Sequence, residues 1–359
     1  MDSLKNEIEI VDAPETELVE KCPLCKSGES NFLFWNFDRI YHLPGEFGTI
    51  ICKTCQLVRL SPRPTVQAIA KYYPEDYGAY VNPASINAIS DGDKLGVRNA
   101  IRNTVLSSLG YDAGHLRLWQ KILRPLLSRI YYKQGTYGYG DLFPRFVPEG
   151  RALEIGCGNG FFLTYLKKHG WEVKGIDLSS HAARQAKELF DIDVFNGEIQ
   201  DAPYEPESFD FIRLSHVVEH FFDPLESMKS VYSLLKPGGI VYVEVPNAEG
   251  IGAEISGPYW YGWDAPRHLF MFTPSTINQT LKDAGFKKVK TRTHLWDSFA
   301  WAMNYKFEEE SGERLENRPI VRTEDSPQIE QDRREAQTKF SMRPNDGDII
   351  SCWAVKPSL

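Results

Sequence analysis

The 359-residue chain has no apolar run near the roughly 20 residues that cross a bilayer, and no basic, then apolar start of a secretory signal. Its beginning, Met1-Asp2-Ser3-Leu4-Lys5-Asn6-Glu7, is acidic, and a cytoplasmic protein is the expectation. There is no surplus of base either. Lys and Arg number 41 against 49 Asp and Glu, a net charge of -8, which disfavours a globally basic nucleic-acid binder. Cysteine is too scarce for a disulfide scaffold, and four of the six cysteines fall in two C-x-x-C pairs. Internal repeats and the Gly-Lys-Ser/Thr of a P-loop are also missing. At about 150 residues per domain, the length suggests about two domains.

Residues 1–20 carry seven acids and one base with little to anchor them, which predicts a disordered tail. The cysteine pairs and an aromatic segment (Phe32, Phe34, Trp35, Phe37, Tyr41) occupy 21–61. A helical cap or linker is expected over 62–148, with helices near 94–109 and 116–133. From 149 to 359, strand and helix signals alternate. Strands are expected at 151–155, 172–177, 193–196, 209–215, 240–245, 287–293 and 349–355, and helices at 161–169, 181–190, 224–235 and 274–284. Such alternation predicts an α/β fold with a parallel sheet covered on both faces. A charged stretch, 308–335, reads as a surface insertion.

Arg151-Ala-Leu-Glu-Ile-Gly-Cys-Gly-Asn-Gly160 puts a short apolar strand before a glycine-rich turn, and Phe161 begins a helix. The glycines permit left-handed backbone and close ligand approach. Phe161 stands where a dinucleotide fingerprint has its third glycine, so phosphate is not the obvious ligand. About 20 residues on, Gly175-Ile-Asp177 ends the next strand in an acid able to accept both ribose hydroxyls. With Phe209-Asp210 and Leu235-Lys-Pro-Gly-Gly239, these motifs resemble the class I S-adenosylmethionine-dependent methyltransferases. The resemblance implies a Rossmann-like seven-stranded sheet, mostly parallel with the last strand antiparallel. It places Gly156, Gly158 and Gly160 along the methionine end of the cofactor, Glu154 near its amino group, Asp177 on the ribose, Glu198 near the adenine and Ser215 at the cofactor edge. Without a ligand, the glycines would make a tight turn and Asp177 would cap a helix.

Three later segments face the methyl group by the same resemblance: Leu214-Ser-His-Val-Val-Glu-His220, Val245-Pro-Asn247 and the aromatic loop Tyr259 to Thr273 with Pro266-Arg-His-Leu269. They resemble a branch acting on sugars, lipid-linked glycans and natural products. A histidine titrates near neutral pH, so His220, oriented by Glu219, is the expected general base and His268 the second candidate. Glu219-His220 could instead only cap the helix from Pro224. His216, Glu219, His220 and His268 also resemble the Glu-x-x-Glu-His metal site of ubiquinone-biosynthesis O-methyltransferases, with His216 in place of the first Glu.

Cys22-Pro-Leu-Cys25 and Cys52-Lys-Thr-Cys55 are spaced as two knuckles of a structural zinc site. A redox pair is the competing reading. Cys157 and Cys352 are expected to be buried thiols. Similar cysteine units precede the core in sugar C-methyltransferases and in some ribosomal-RNA methyltransferases. The expected acceptor is a small molecule or glycolipid, anionic, with nucleic acid the less favoured partner. Residues 94–133 hold Lys94, Arg98, Arg102, Arg117, Lys121, Arg124, Arg129 and Lys133 against Asp112, an excess of seven positive charges. These helices could cover a phosphate-bearing substrate, follow an RNA backbone, lie on an anionic membrane, or pack as a lid with solvated charges.

Overall fold

The computed structural model describes residues 15–74, 97–112, 114, 118–134, 143–313 and 326–358. Most of the acidic tail (1–14), Glu75 to Tyr77, Lys94, Arg117 and the middle of the charged stretch (314–325) lie outside the described residues.

The N-terminal unit is built of strands. β1 (Thr16–Glu17) pairs with β5 (Arg63–Pro64), so the end of the expected tail is tied to the unit. β2 (Ser30–Asn36), β3 (Phe47–Cys52) and β4 (Val58–Leu60) form an antiparallel sheet. Its fourth strand, β11 (Phe270–Met271), comes from the aromatic loop 200 residues downstream and pairs with β4. That loop is therefore held as part of the small sheet.

Helices α1 (Val97–Ser108) and α2 (Leu118–Gln134) pack together as a hairpin. Leu106 at the end of α1 joins Tyr111, Phe143, Tyr165 and Trp171 in one apolar cluster. The expected helix starts at 94–96 and 116–117 lie outside the described residues.

The C-terminal half holds a seven-stranded sheet. Its strands are β6 (Arg151–Ile155), β7 (Glu172–Asp177), β8 (Val194–Asn196), β9 (Phe209–Ser215), β10 (Leu235–Pro246), β12 (Lys287–His294) and β13 (Ile349–Val355), in the order β12-β13-β10-β9-β6-β7-β8. β6 to β10 pair in parallel, while β13 runs antiparallel between β10 and β12. β10 reads as a nearly continuous apolar run, Ile-Val-Tyr-Val-Glu-Val, because both of its faces are covered. It begins five residues before the expected strand, and its register shifts between Leu235 and Ile240, at the Lys-Pro-Gly-Gly segment.

Strand residues alternate between two cores. Leu153, Ile155, Ile212 and Leu214 face Met228 of α5 (Pro224–Leu234) and Ile277 of α7 (Pro274–Asp283). Ala152 and Phe211 face Leu163 of α3 (Phe161–Lys168) and Ala186 of α4 (Ser180–Phe190). Helix starts follow local chemistry: the Asp223 side chain accepts from Glu226 N, with Pro224 in the first turn, and Thr273 and Thr276 form a capping box. Each such cap stabilises its helix by about 1 kcal/mol.

Within the charged stretch 308–335, expected as a surface insertion, fall the end of α8 (Phe299–Ser311) and much of α9 (Pro327–Met342). They pack with α6 (Ile251–Ser256) through Ile251, Phe299, Ile329 and Ala336. Only Ile329 and Ala336 of α9 are buried, so the apolar periodicity is hidden among charges.

Candidate active site

The turn after β6 sits at the carboxyl edge of the sheet, where open α/β sheets bind ligands. Gly156, Gly158 and Gly160 all have left-handed backbone, φ +66°, +52° and +74°. A Cβ at Gly156 would collide with Val217, so this glycine lets the turn lie against the loop after β9. Gly160 is the N-cap of α3 and allows close contact with Ala186, a packing role that the sequence reading assigned to ligand approach.

Glu154 is buried and ion-paired with Arg213, whose guanidinium stacks 4.2 Å over the Phe162 ring. Its second oxygen, Oε2, has no hydrogen-bond partner. Burial pushes its pKa up to about 7 despite Arg213. A buried carboxylate with one oxygen unused, beside a glycine turn, fits an ammonium group. Asp177 accepts from Gly158 N (2.7 Å) through Oδ2 and from Ser179 N (2.8 Å) through Oδ1. It braces both turns, and a carboxylate's four lone-pair sites leave room for hydroxyl donors. The N-cap of α4 is Ser179, not Asp177. Glu198 is exposed at the start of a short 3₁₀ turn after β8, and Ser215 is half-buried at the end of β9. Leu178, beside Asp177, is 68% exposed, an apolar surface at the cofactor edge that the sequence reading missed.

The acceptor candidates meet next to this edge. Val218 to His220 form a 3₁₀ turn, in which successive side chains point about 120° apart. Neither Glu219 oxygen bonds the His220 ring, so the expected orienting contact is not formed. Instead, His220 Nδ1 lies 2.9 Å from the carbonyl of Arg267 and 3.1 Å from the Tyr73 hydroxyl. A carbonyl only accepts, so Nδ1 carries the proton and Nε2 keeps its lone pair. Burial and the neighbouring His268 depress the His220 pKa to about 4. The sequence sets Tyr73 in a segment, Tyr72 to Tyr77, that resembles the small-substrate branch, but does not mark it as a partner of His220.

Glu219 is fully buried, and neither carboxylate oxygen makes a well-formed hydrogen bond. His216 Nδ1 stands 3.4 Å and His268 Nε2 4.0 Å from it. Burial opposes its charge, yet these histidines and His220 hold its pKa below the ordinary value. His268 bonds Gly262 O through Nδ1 (2.8 Å), and its ring centroid lies 4.8 Å from that of His220. Ligand atoms of Glu219, His220 and His268 lie within 4.8 Å of one another, close enough to share a cation. His216, with a strained φ of +55°, stands outside this triad between Glu219 and Glu244. Asn247 is buried and braces Gly347 O.

Arg267 anchors the loop. It is fully buried, its guanidinium donating to both oxygens of Asp38 (2.7 and 3.0 Å), to Asp264 (2.6 Å) and to Tyr72 O (3.1 Å). Asp38 belongs to the N-terminal unit, so that unit buttresses the loop that holds His220 and His268.

The four cysteines converge. Cys22 Sγ is 3.5 Å from Cys55 Sγ, and Cys25 Sγ is 3.4 Å from Cys52 Sγ. A tetrahedral zinc with bonds of about 2.3 Å separates its sulfurs by about 3.8 Å, close to this spacing. Lys26 and Gln56, one residue past each pair, share the left-handed φ (63° and 64°), so the knuckles match. Cys157, packed against Gly175, and Cys352 are buried.

Residues 131–291 match the family model described as a methyltransferase domain. A ubiquinone biosynthesis O-methyltransferase of Xanthomonas campestris pv. campestris is 31% identical over 107 residues, 28% of this chain and 45% of the relative. The protein of that name in Cereibacter sphaeroides is 28% identical over 163 residues, 42% of this chain and 66% of the relative. The chain thus spans less than two thirds of the length of either relative. A solved S-adenosylmethionine-dependent methyltransferase from Archaeoglobus fulgidus is 19% identical, covering 67% of this chain and 98% of its own, with a TM-score of 0.41. Within the α/β half, residues 131–291 are thus similar to a methyltransferase domain.

Proposed function

We propose that the whole protein methylates a small acceptor, a sugar nucleotide, glycolipid or related metabolite, and that Cys22, Cys25, Cys52 and Cys55 hold a structural zinc. The observation that carries the reading is His220: its Nδ1–H is pinned to a backbone carbonyl, leaving Nε2 as a neutral base beside the cofactor edge. Glu154 and Asp177 would hold the cofactor's amino group and ribose. S-adenosylmethionine supplies a methyl group already activated on a sulfonium. The protein's remaining tasks are to position the acceptor and remove its proton. His220 Nε2 takes that proton, and the nearby carboxylates of Glu219 and Asp264 stabilise the imidazolium that forms.

Calorimetry should show S-adenosylmethionine binding that weakens in Asp177→Ala. Labelled methyl transfer to a panel of nucleotide sugars, glycolipids and RNA should pick out one of the first two classes and collapse in His220→Ala. Absence of cofactor binding, or transfer to RNA alone, would overturn the reading.

A second reading is metal-assisted methylation of adjacent hydroxyls at Glu219, His220 and His268. Both histidines bond carbonyls through Nδ1, as metal-bound imidazoles usually do, and the Glu219 oxygens are unsatisfied. Turnover unchanged by thorough chelation that leaves the cysteine site loaded would end it.

A further inference from the structure

We infer that the exposed side of α2 is a docking face for an anionic membrane surface. Leu118, Ile122 and Leu126 are 74%, 67% and 54% exposed, and Trp119 and Leu123 stand out of the fold beside them. At 3.6 residues per turn, these five side chains cover one arc of about 140°. The helix is fixed in this orientation through Gln120, about 60° beyond the Leu123 edge of the arc. Buried Gln120 donates to Ala100 O (2.9 Å) and Thr104 Oγ1 (3.2 Å) of α1.

Charge identifies the occupant. α2 contains Lys121, Arg124, Arg129 and Lys133 and no acid, within a chain of net charge -8. Lys121 is exposed about 60° beyond the Leu118 edge of the apolar arc, and Arg124 is exposed on the opposite, polar side of the helix. Leucines, an isoleucine and a tryptophan on one side of a helix with a cationic polar side suit the boundary between acyl chains and anionic headgroups, with apolar groups inserted and cations turned toward the headgroups. A second copy of the chain fits less well, since a two-fold contact would set like charges against like. RNA has little use for four aliphatic side chains, and among the described side chains of this helix Trp119 is the one aromatic ring. Among the described residues no helix is long and apolar enough to cross a membrane, so α2 would lie on the surface. The inference does not rest on methyl transfer.

The test is flotation of the full chain with phosphatidylcholine vesicles, with and without phosphatidylglycerol, at low and high salt. Binding should be at least about tenfold greater with the anionic lipid, and should fall with salt. Ile122→Glu with Leu126→Glu should abolish it, and Lys121→Glu with Arg124→Glu should remove the anionic preference. Retained S-adenosylmethionine binding, or an unchanged melting curve, shows that the variants are folded. The inference is overturned by an absence of vesicle binding, by equal binding to both lipids, or by binding that survives Ile122→Glu with Leu126→Glu. It is equally overturned if sedimentation shows a dimer that these substitutions disperse while vesicles are ignored, or if RNA binds through Lys121 and Arg124 while vesicles do not.

Discussion

Glu154 and His220 are two buried titratable groups whose environments shift them in ways that matter at neutral pH. Glu154 has its pKa raised by burial to about 7, so below pH 7 it is largely protonated and a poor partner for an ammonium. Affinity for S-adenosylmethionine should therefore rise as pH increases from 6 to 8, by up to about tenfold per unit on the acid side. Glu154→Gln should weaken binding by about 10- to 100-fold, the range of a charge-assisted hydrogen bond, and flatten that pH dependence. Calorimetry across this range checks it, and a wild-type affinity flat with pH would count against the placement. His220 shifts the other way. With its pKa lowered to about 4, the base form is complete above about pH 5, so the acid limb of kcat/KM from this group lies below pH 5. Tyr73→Phe should lower kcat about 2- to 10-fold with cofactor affinity unchanged, because it removes one contact to Nδ1. An acid limb near 6.5 would show His220 to be unperturbed or not the base. His220 itself was legible in the sequence. Its orienting partners were not, since Arg267 acts through a backbone carbonyl and Tyr73 lies 147 residues away.

At the scale of elements, β6, β7, β9 and β10 with their intervening helices were readable because fully covered parallel strands are apolar runs, α3 follows the glycine turn, and α4 and α5 start at Ser179 and Asp223 caps. Two-residue β11 was not, as its pairing with β4 depends on a partner remote in sequence and its length gives no periodicity. α9 was hidden by having only two buried residues. The Arg267 cluster joins the elements that local reading separates. Asp38→Ala would remove two bonds from a guanidinium with no exposed surface, leaving Asp264 as its ion pair, and losing charge-assisted hydrogen bonds of this kind costs about 1.5–3 kcal/mol. Denaturant melts should show that loss, with Asp38→Asn milder because its amide oxygen still accepts one bond. A change below 1 kcal/mol would mean that the pair is solvated in solution.

For the molecule as a whole, the residues proposed for the cofactor, Glu154 to Glu198 with Ser215, all belong to the α/β half, while the proposed acceptor side draws on Asp38, Tyr73, His220 and Arg267 together. Stripping zinc from the cysteines should therefore separate the two halves of the activity. S-adenosylmethionine affinity should change less than about twofold, while the acceptor KM rises about tenfold or more as the buttress at Asp38 loosens. Equal loss of both would show that the units fold as one. The contact between Asp38 and Arg267, 229 residues apart in sequence, also sets an order in time. Closing so long a loop is slow compared with forming neighbouring strands and helices. A refolding chain should recover cofactor binding before it recovers turnover, passing through a species that holds its donor with nowhere yet to seat what it methylates.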